Sequence, residues 1–166
     1  MEHLREFEMK IYEIRVWDKG KWIYSYDKEK YKKISEVIYK SLFKESEVAI
    51  CSYISRNKII TKAMYVVKRN AYSTLWFNTD STAELTQNIK DTMRATVYMF
   101  NSEIKSLMLL GTMTVEKDYK IREEVWKPEF DDWYIGGISC NDFQVIKFEA
   151  YEGYVFYDGM LIKLRK

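Results

Sequence analysis

The chain has 166 residues, 47% of them hydrophobic and 31% charged, which fits one soluble globular domain or one domain with an extension. Its 27 basic and 25 acidic residues leave a formal net charge of +2, too balanced to imply a nucleic-acid or anionic-membrane partner. The single histidine, His3, argues against histidine metal sites and Ser-His or Cys-His catalysis, and none of the six glycines forms a G-x-G-x-x-G or G-x-x-x-x-G-K-[ST] nucleotide-binding motif.

Cys51 and Cys140 match no metal or redox spacing and are expected to be reduced thiols. The N-terminus lacks an apolar signal core, and no stretch approaches the ~20 apolar residues of a membrane span. These features imply a soluble, cytoplasmic protein.

In chain order, Lys10 to Trp17 and Lys21 to Tyr26 read as a hairpin turning at Asp18-Lys19-Gly20. Tyr31, Ile34, Ile38 and Leu42 recur at helical spacing, so residues 28–44 are predicted as a helix with Asp27 as N-cap. Its lysines 28, 30, 32 and 33 read as a solvated face. Three antiparallel strands follow: Glu47 to Ile54, Lys58 to Val67 and Tyr72 to Asn78, with turns at Ser55-Arg56-Asn57 and Lys68-Arg69-Asn70. Ser81-Thr82-Ala83-Glu84 has capping-box spacing and predicts a short helix to about Asp91. Ala95 to Asn101 and Ser106 to Glu116 read as strands, and Met99, Met108 and Met113 within them as core filler. Asp118 caps a helix through Trp126 that Pro128 stops, and residues 129–142 read as loop. Phe143 to Ala150 reads as a strand, with a last hairpin of Tyr154 to Tyr157 and Met160 to Leu164 around Asp158-Gly159. The fold class this implies is mostly β with peripheral helices, a closed or partly closed antiparallel barrel.

The most informative segment for ligand binding is Asn78-Thr79-Asp80-Ser81-Thr82, between a strand end and a helix start. A helix N-terminus with hydroxyls from Thr79, Ser81 and Thr82 suits a phosphate. Lys62, on the preceding strand, could reach the same neighbourhood, and Arg94 is a third basic candidate. Glu123-Glu124 and Asp131-Asp132 read as solvated surface rather than acid/base pairs, and no side chain is an evident catalytic acid or base.

Several segments, taken in order, carry a resemblance. They are Ser46-Glu47-Val48-Ala49, Thr61-Lys62-Ala63-Met64, Leu75-Trp76-Phe77-Asn78-Thr79 and Arg94-Ala95-Thr96-Val97-Tyr98-Met99. Gly111, Trp126, Trp133-Tyr134 with Gly136-Gly137, and the Phe143 to Phe148 strand continue it. From about Glu36 to the C-terminus the chain resembles the pyridoxamine 5′-phosphate oxidase-like, FMN-binding split-barrel family, in its general-stress-protein branch. The resemblance implies a six-stranded antiparallel split barrel over residues 27–166, with residues 1–26 as an added hairpin. It implies a homodimer with FMN at its interface, Lys62 at the phosphate, Ala63 and Met64 beside the ring, Phe77, Asn78 and Thr79 on the ring and ribityl side, and Ser81 and Thr82 in the phosphate loop. Two departures stand out. The family's Ser-x-Lys is replaced by Ala83-Glu84-Leu85 or Ser81-Thr82-Ala83, without the lysine, and the C-terminus lacks the Arg- and His-bearing motif of true pyridoxamine phosphate oxidases. The expectation is a flavin-dependent oxidoreductase using a reduced nicotinamide and a small electrophile. The alternative is a non-catalytic binding or stress protein with weakened or lost cofactor.

Overall fold

The computed structural model describes residues 9–166, so His3 lies outside the described residues. β1 (Lys10–Asp18) and β2 (Lys21–Tyr24) form the expected hairpin and turn through Lys19 and Gly20, both at positive φ. α1 (Lys28–Glu45) starts where Asp27 accepts a hydrogen bond from the Lys30 backbone, so the predicted cap is the observed one. Its buried side carries Tyr31, Ile38, Tyr39, Leu42 and Phe43 and lies against β7 (Ser106–Val115), while its lysines 28, 30, 32 and 33 are exposed.

β3 (Val48–Ser55), β4 (Lys58–Asn70) and β5 (Thr74–Asp80) form a meander, and β6 (Met93–Phe100) pairs with both β3 and β7. β8 (Phe143–Tyr157) takes β5 along its first half, β9 (Met160–Arg165) along its second and β7 along most of its length. The sheet order is β2-β1-β9-β8-β5-β4-β3-β6-β7, and the β7–β8 pairing closes it. β8, β5, β4, β3, β6 and β7 are therefore a six-stranded antiparallel barrel, as the resemblance implied. β9, β1 and β2 continue from β8 as a flange.

The barrel interior is filled from alternate strand positions by Ala49, Cys51, Met64, Phe77, Val97, Leu109, Met113 and Phe148. Each large apolar side chain so buried stabilises the fold by about 1.5–3 kcal/mol. Met99 and Met113 are core residues as expected. Met108 is not. It stands opposite Tyr98 and Tyr154, half-buried on the outer face.

Three local expectations need correction. Lys68-Arg69-Asn70 is not a turn, because β4 runs to Asn70 and the chain reverses at Ala71 and Tyr72, both at positive φ (52° and 53°). Tertiary partners hold the polar residues in the strand. Arg69 Nε donates to the Phe43 carbonyl at 2.8 Å and its Nη2 to the Ser46 carbonyl, while Lys68 pairs with Glu124. Phe143 to Ala150 and the hairpin arm from Tyr154 are one 15-residue strand, continuous through Gly153, where Tyr39 would lie only 3.0 Å from a Cβ. The capping box does not form: α2 (Glu84–Asn88) has Ala83 at its N-cap, Ser81 bonds Asp142 and Glu84 bonds Ser55.

The barrel is split along one seam. β4 and β5 pair only from Val66↔Phe77 to Asn70↔Thr74, with a bulge between Val66 and Lys68. From Lys58 to Tyr65, β4 pairs with β3 alone, and Asn78 to Asp80 of β5 pair with β8 alone. The diverging strand ends position the site described next.

Candidate functional site

α3 (Tyr119–Val125) begins at Asp118, whose side chain accepts from the Lys120 backbone, and it is followed by a 3-10 turn at Pro128–Asp132. Trp126, Phe130, Tyr134 and Phe143 pack edge-on or tilted, with ring centroids 4.9–6.4 Å apart, into a second small core over Trp76 and Val145. The Arg122 guanidinium ties α3 to the next segment by donating to the carbonyls of Ile138 (3.2 Å) and Cys140 (3.3 Å). The 128–134 segment thereby becomes a roof over the outer face of β4 and β5.

Under that roof lies a cleft of about 600 Å³, a size that suits a cofactor-sized molecule. Its apolar walls are Tyr65, Val67, Phe130 and Trp133, and Asn78 and Tyr134 supply polar groups. Trp133 is 81% exposed, so its indole is a wall with no protein behind it. Tyr134 Oη donates to the Thr79 carbonyl at 3.1 Å and lies beside the Asn78 amide, which pins the roof to the diverging end of β5. Burial raises the Tyr134 pKa, so near neutral pH the phenol stays protonated and works as a donor. The rim charges are Arg69 and Lys127 against Glu47 and Glu129.

Of the residues predicted from sequence, Asn78 lines this cleft and Thr79 anchors its roof through the backbone. Phe77 and Met64 face the barrel core instead, 0% and 5% exposed, and Ala63 is exposed on the outer face of β4. Lys62 stands opposite Cys51 and shares the inward face of β4 with Met64. It is half-buried and makes no hydrogen bond or ion pair with the described residues. Burial pushes the Cys51 thiol up to about 12 against the opposing pull of Lys62. Ser81 and Thr82 lie past the end of β5 with their hydroxyls engaged: Ser81 donates to Asp142 at 2.6 Å, and Thr82 donates to Asp80 through its hydroxyl and, at 2.9 Å, its backbone N–H. Those bonds, the Thr82 hydroxyl foremost, hold the Asp80 carboxyl below its usual pKa, so it stays ionised. Glu84 accepts from Ser55 at 2.6 Å, and Asn88 donates to the same Ser55 hydroxyl at 2.8 Å. These carboxylates do not converge; among the described residues no group of three or more His, Cys, Asp or Glu is arranged to hold a metal ion. Arg94 lies outside the cleft, on the outer face of β6, beside a shallower groove of about 320 Å³ with Ser52, Thr96 and Tyr151.

The roof is what sequence reasoning left without a role. Trp133 and Tyr134 carry the resemblance, yet nothing local shows that they fold back onto β5. The aromatic density of Trp126, Phe130, Trp133 and Tyr134 was the available signal.

The model of the pyridoxamine 5′-phosphate oxidase-like family matches residues 29–160, most of the chain. The chain belongs to that family. The match starts after the β1–β2 hairpin, so the hairpin lies outside the family's matched region. A comparison with the curated proteins gave no match. Among solved structures, the chain is similar to a Clostridium acetobutylicum protein related to general stress protein 26 of B. subtilis. The TM-score is 0.66 at 21% identity, covering 82% of this chain and 95% of that one. It is also similar to the general stress FMN/FAD binding protein of Xanthomonas citri (TM-score 0.65, 16% identity, 75% and 89% covered). A heme binding protein of Mycobacterium smegmatis shares the fold at TM-score 0.58 and 11% identity, with 74% and 55% covered. At these identities the likenesses show the fold. No described helix is long and apolar enough to cross a membrane.

Proposed function

We propose that this protein holds a flavin by its ring system in the cleft between the β4–β5 face and the 128–134 roof, and that it works as a homodimer. The observation that carries the reading is the aromatic cleft itself, with a protonated Tyr134 and the Asn78 amide at its inner edge. Flat apolar walls with a few directional polar groups suit a planar heteroaromatic ring. Membership of the family and the likeness to a protein described as FMN/FAD binding support a flavin in particular.

A bound flavin supplies reversible acceptance of a hydride or of single electrons. The chain's part is to bind, orient and shield. Tyr65, Val67, Phe130 and Trp133 exclude water from the ring faces, and Asn78 and Tyr134 fix its polar edge. In this reading the protein is an oxidoreductase that takes electrons from a reduced nicotinamide and passes them to a small electrophile.

Support for a dimer comes from the outer face of β3, β4 and β6. Ile54 and Ile59 are exposed there beside the groove that Arg94 lines, and Tyr65 and Phe100 are exposed farther along the same face, with Ile59 at 78% and Tyr65 at 66%. Exposed apolar side chains of that kind suit an association site, and Tyr65 also lines the cleft, so a second subunit on this face would help enclose the ligand.

A second reading, a non-catalytic flavin-holding protein, is favoured by one feature: polar groups at the cleft are committed to structure. Arg69 bonds the Phe43 and Ser46 carbonyls, and Tyr134 bonds Thr79. One experiment separates the readings. The purified protein is incubated with riboflavin or FMN, desalted, and its absorption recorded before and after NADPH, alongside sedimentation. A bound flavin that bleaches supports the oxidoreductase, a bound flavin that does not bleach supports the holding protein, and a monomer with no flavin uptake refutes both.

A further inference from the structure

Of the charged residues lining the cleft, Arg69 is half-buried, whereas Lys127, Glu47 and Glu129 are exposed. Two backbone carbonyls hold its guanidinium. Nε donates to Phe43 at 2.8 Å and Nη2 to Ser46, the C-cap of α1, where a helix end favours positive charge. The Ser46 carbonyl precedes Glu47, whose own carbonyl accepts from the Val66 N–H at 2.9 Å, and Tyr65 stands opposite Val48. Arg69 is thereby fixed at the part of the cleft that Glu47 and Tyr65 line.

Nε and Nη2 form one side of the planar guanidinium, so that fork is spent on α1. A guanidinium has five N–H donors, and three remain: two on Nη1 and one on Nη2. One from each nitrogen makes a second fork, pointing away from the α1 carbonyls. Nη1 has no hydrogen-bond partner and is open to solvent, since the one buried side-chain nitrogen or oxygen without a partner among the described residues is Arg122 Nε. Nor does any carboxylate among the described residues pair with Arg69. The exposed charges stand in water, which weakens their reach. Arg69 is drawn partly out of water with three donors unmet, so burial works against its charge, and Glu47 opposes that only from a distance. An oxyanion in the cleft would meet charge and donors together through two parallel N–H···O bonds.

We infer that Arg69 anchors an oxyanion, a carboxylate or phosphate group, on a molecule bound in the cleft. This rests on reading the cleft as the flavin site. Two molecules can carry the group: the flavin, through the phosphate of FMN, or the small electrophile, through a carboxylate or phosphate joined to a conjugated system. Apolar walls with a guanidinium among them select planar anions over planar neutral molecules.

Two matched pairs of ligands test this by fluorescence titration of the full chain near neutral pH: FMN against riboflavin, and benzoate against benzamide on the riboflavin-loaded protein. The wild type should prefer the charged member of at least one pair about tenfold, the low end for charge-assisted hydrogen bonds. Preference within the flavin pair puts the anion on the flavin tail, and preference within the benzoate pair puts it on a second molecule. Arg69→Gln should abolish the preference. A general loss of fold weakens both members of a pair alike, so the ratio isolates the charge. Arg69→Lys, which keeps the charge but loses the fork, should retain the preference only in part, and it keeps the test readable if the glutamine variant is unstable. Equal affinities within both pairs, or a preference that survives Arg69→Gln, overturn the inference and leave the proposed function standing. If neither flavin binds the wild type, the proposed function falls, and benzoate against benzamide on the flavin-free protein still decides the role of Arg69.

Discussion

Tyr134 ties the roof to the end of β5, and replacing it separates two contributions that the structure superimposes. Tyr134→Phe removes one part-buried hydrogen bond, 3.1 Å long, to the Thr79 carbonyl, and leaves the ring against Trp126, Phe130 and Phe143. A neutral bond of this kind contributes about 0.5–1.5 kcal/mol, so the stability loss in urea should be close to 1 kcal/mol with an unchanged m-value. Tyr134→Ala also deletes the half-buried ring and should cost about 2–4 kcal/mol, toward the lower end because the site is not fully enclosed. Flavin titration then reads the roof. If the Thr79 bond holds the 128–134 segment over the ring, the Phe variant should bind flavin about three- to tenfold more weakly, the equivalent of losing that bond. Near-UV circular dichroism, sensitive to the packed aromatics, should be nearly unchanged in Phe and altered in Ala. A Phe variant with wild-type stability and wild-type flavin affinity would refute the claim that this phenol pins the roof. An Ala variant that binds flavin normally would refute the placement of the ring in this cleft.

Two further outcomes follow from other parts of the fold. Gly111→Ala should lower stability by about 3 kcal/mol or more, because a Cβ there would lie 2.2 Å from the Glu149 carbonyl oxygen and 2.6 Å from Phe148 Cζ, at the register shift between β7 and β8; a thermal midpoint within about 2 °C of wild type would show that the seam can relax. Glu152 is held below the ordinary carboxylate value of 4.5, first by its hydrogen bond from Tyr12, so its contribution is complete above that value and is lost as pH falls through the lower folded value. Stability measured from pH 6 down to 3 should therefore decline less steeply in Tyr12→Phe than in wild type, and parallel curves would contradict the assignment.

Much of the fold was legible because its signals are local. The 3.6-residue recurrence of Tyr31, Ile34, Ile38 and Leu42, with Asp27 before it, specifies α1 without tertiary help. The mistakes share one cause, a local motif outcompeted by a distant partner. Lys68-Arg69-Asn70 has turn composition, but Glu124 and the α1 carbonyls stabilise its polar heads while the backbone stays in the ladder. Ser81 and Glu84 have the spacing to cap each other, yet each finds a partner from another element, Asp142 at the β8 entry and Ser55 at the end of β3. The site was half legible for the same reason. Asn78 and Thr79 sit at a strand end that sequence can locate, whereas the roof depends on the Tyr134 contact over 55 residues of chain.

The split seam also bears on which planar ligand the cleft can take. Native sheets usually close, cover or shorten their edges, because unpaired N–H and C=O groups are costly away from water. This chain does so at one end, where β1 takes the free edge of β9 and the last edge, β2, is only four residues long. Inside the barrel it does the opposite. From Lys58 to Tyr65 the β5-facing edge of β4 has no strand partner, and the groups of every second residue point into the gap. Such an edge is most favourable next to a ligand that presents donors and acceptors in the plane of its ring. The pyrimidine portion of a flavin alternates carbonyls and N–H along one side and meets that need. A porphyrin, whose nitrogens face inward and whose rim is hydrocarbon apart from its substituents, leaves the strand unsatisfied. Tyr65 is the residue of that open edge that reaches the cleft, which Asn78 and Tyr134 also line, and under the reading proposed above these groups favour a flavin over a porphyrin.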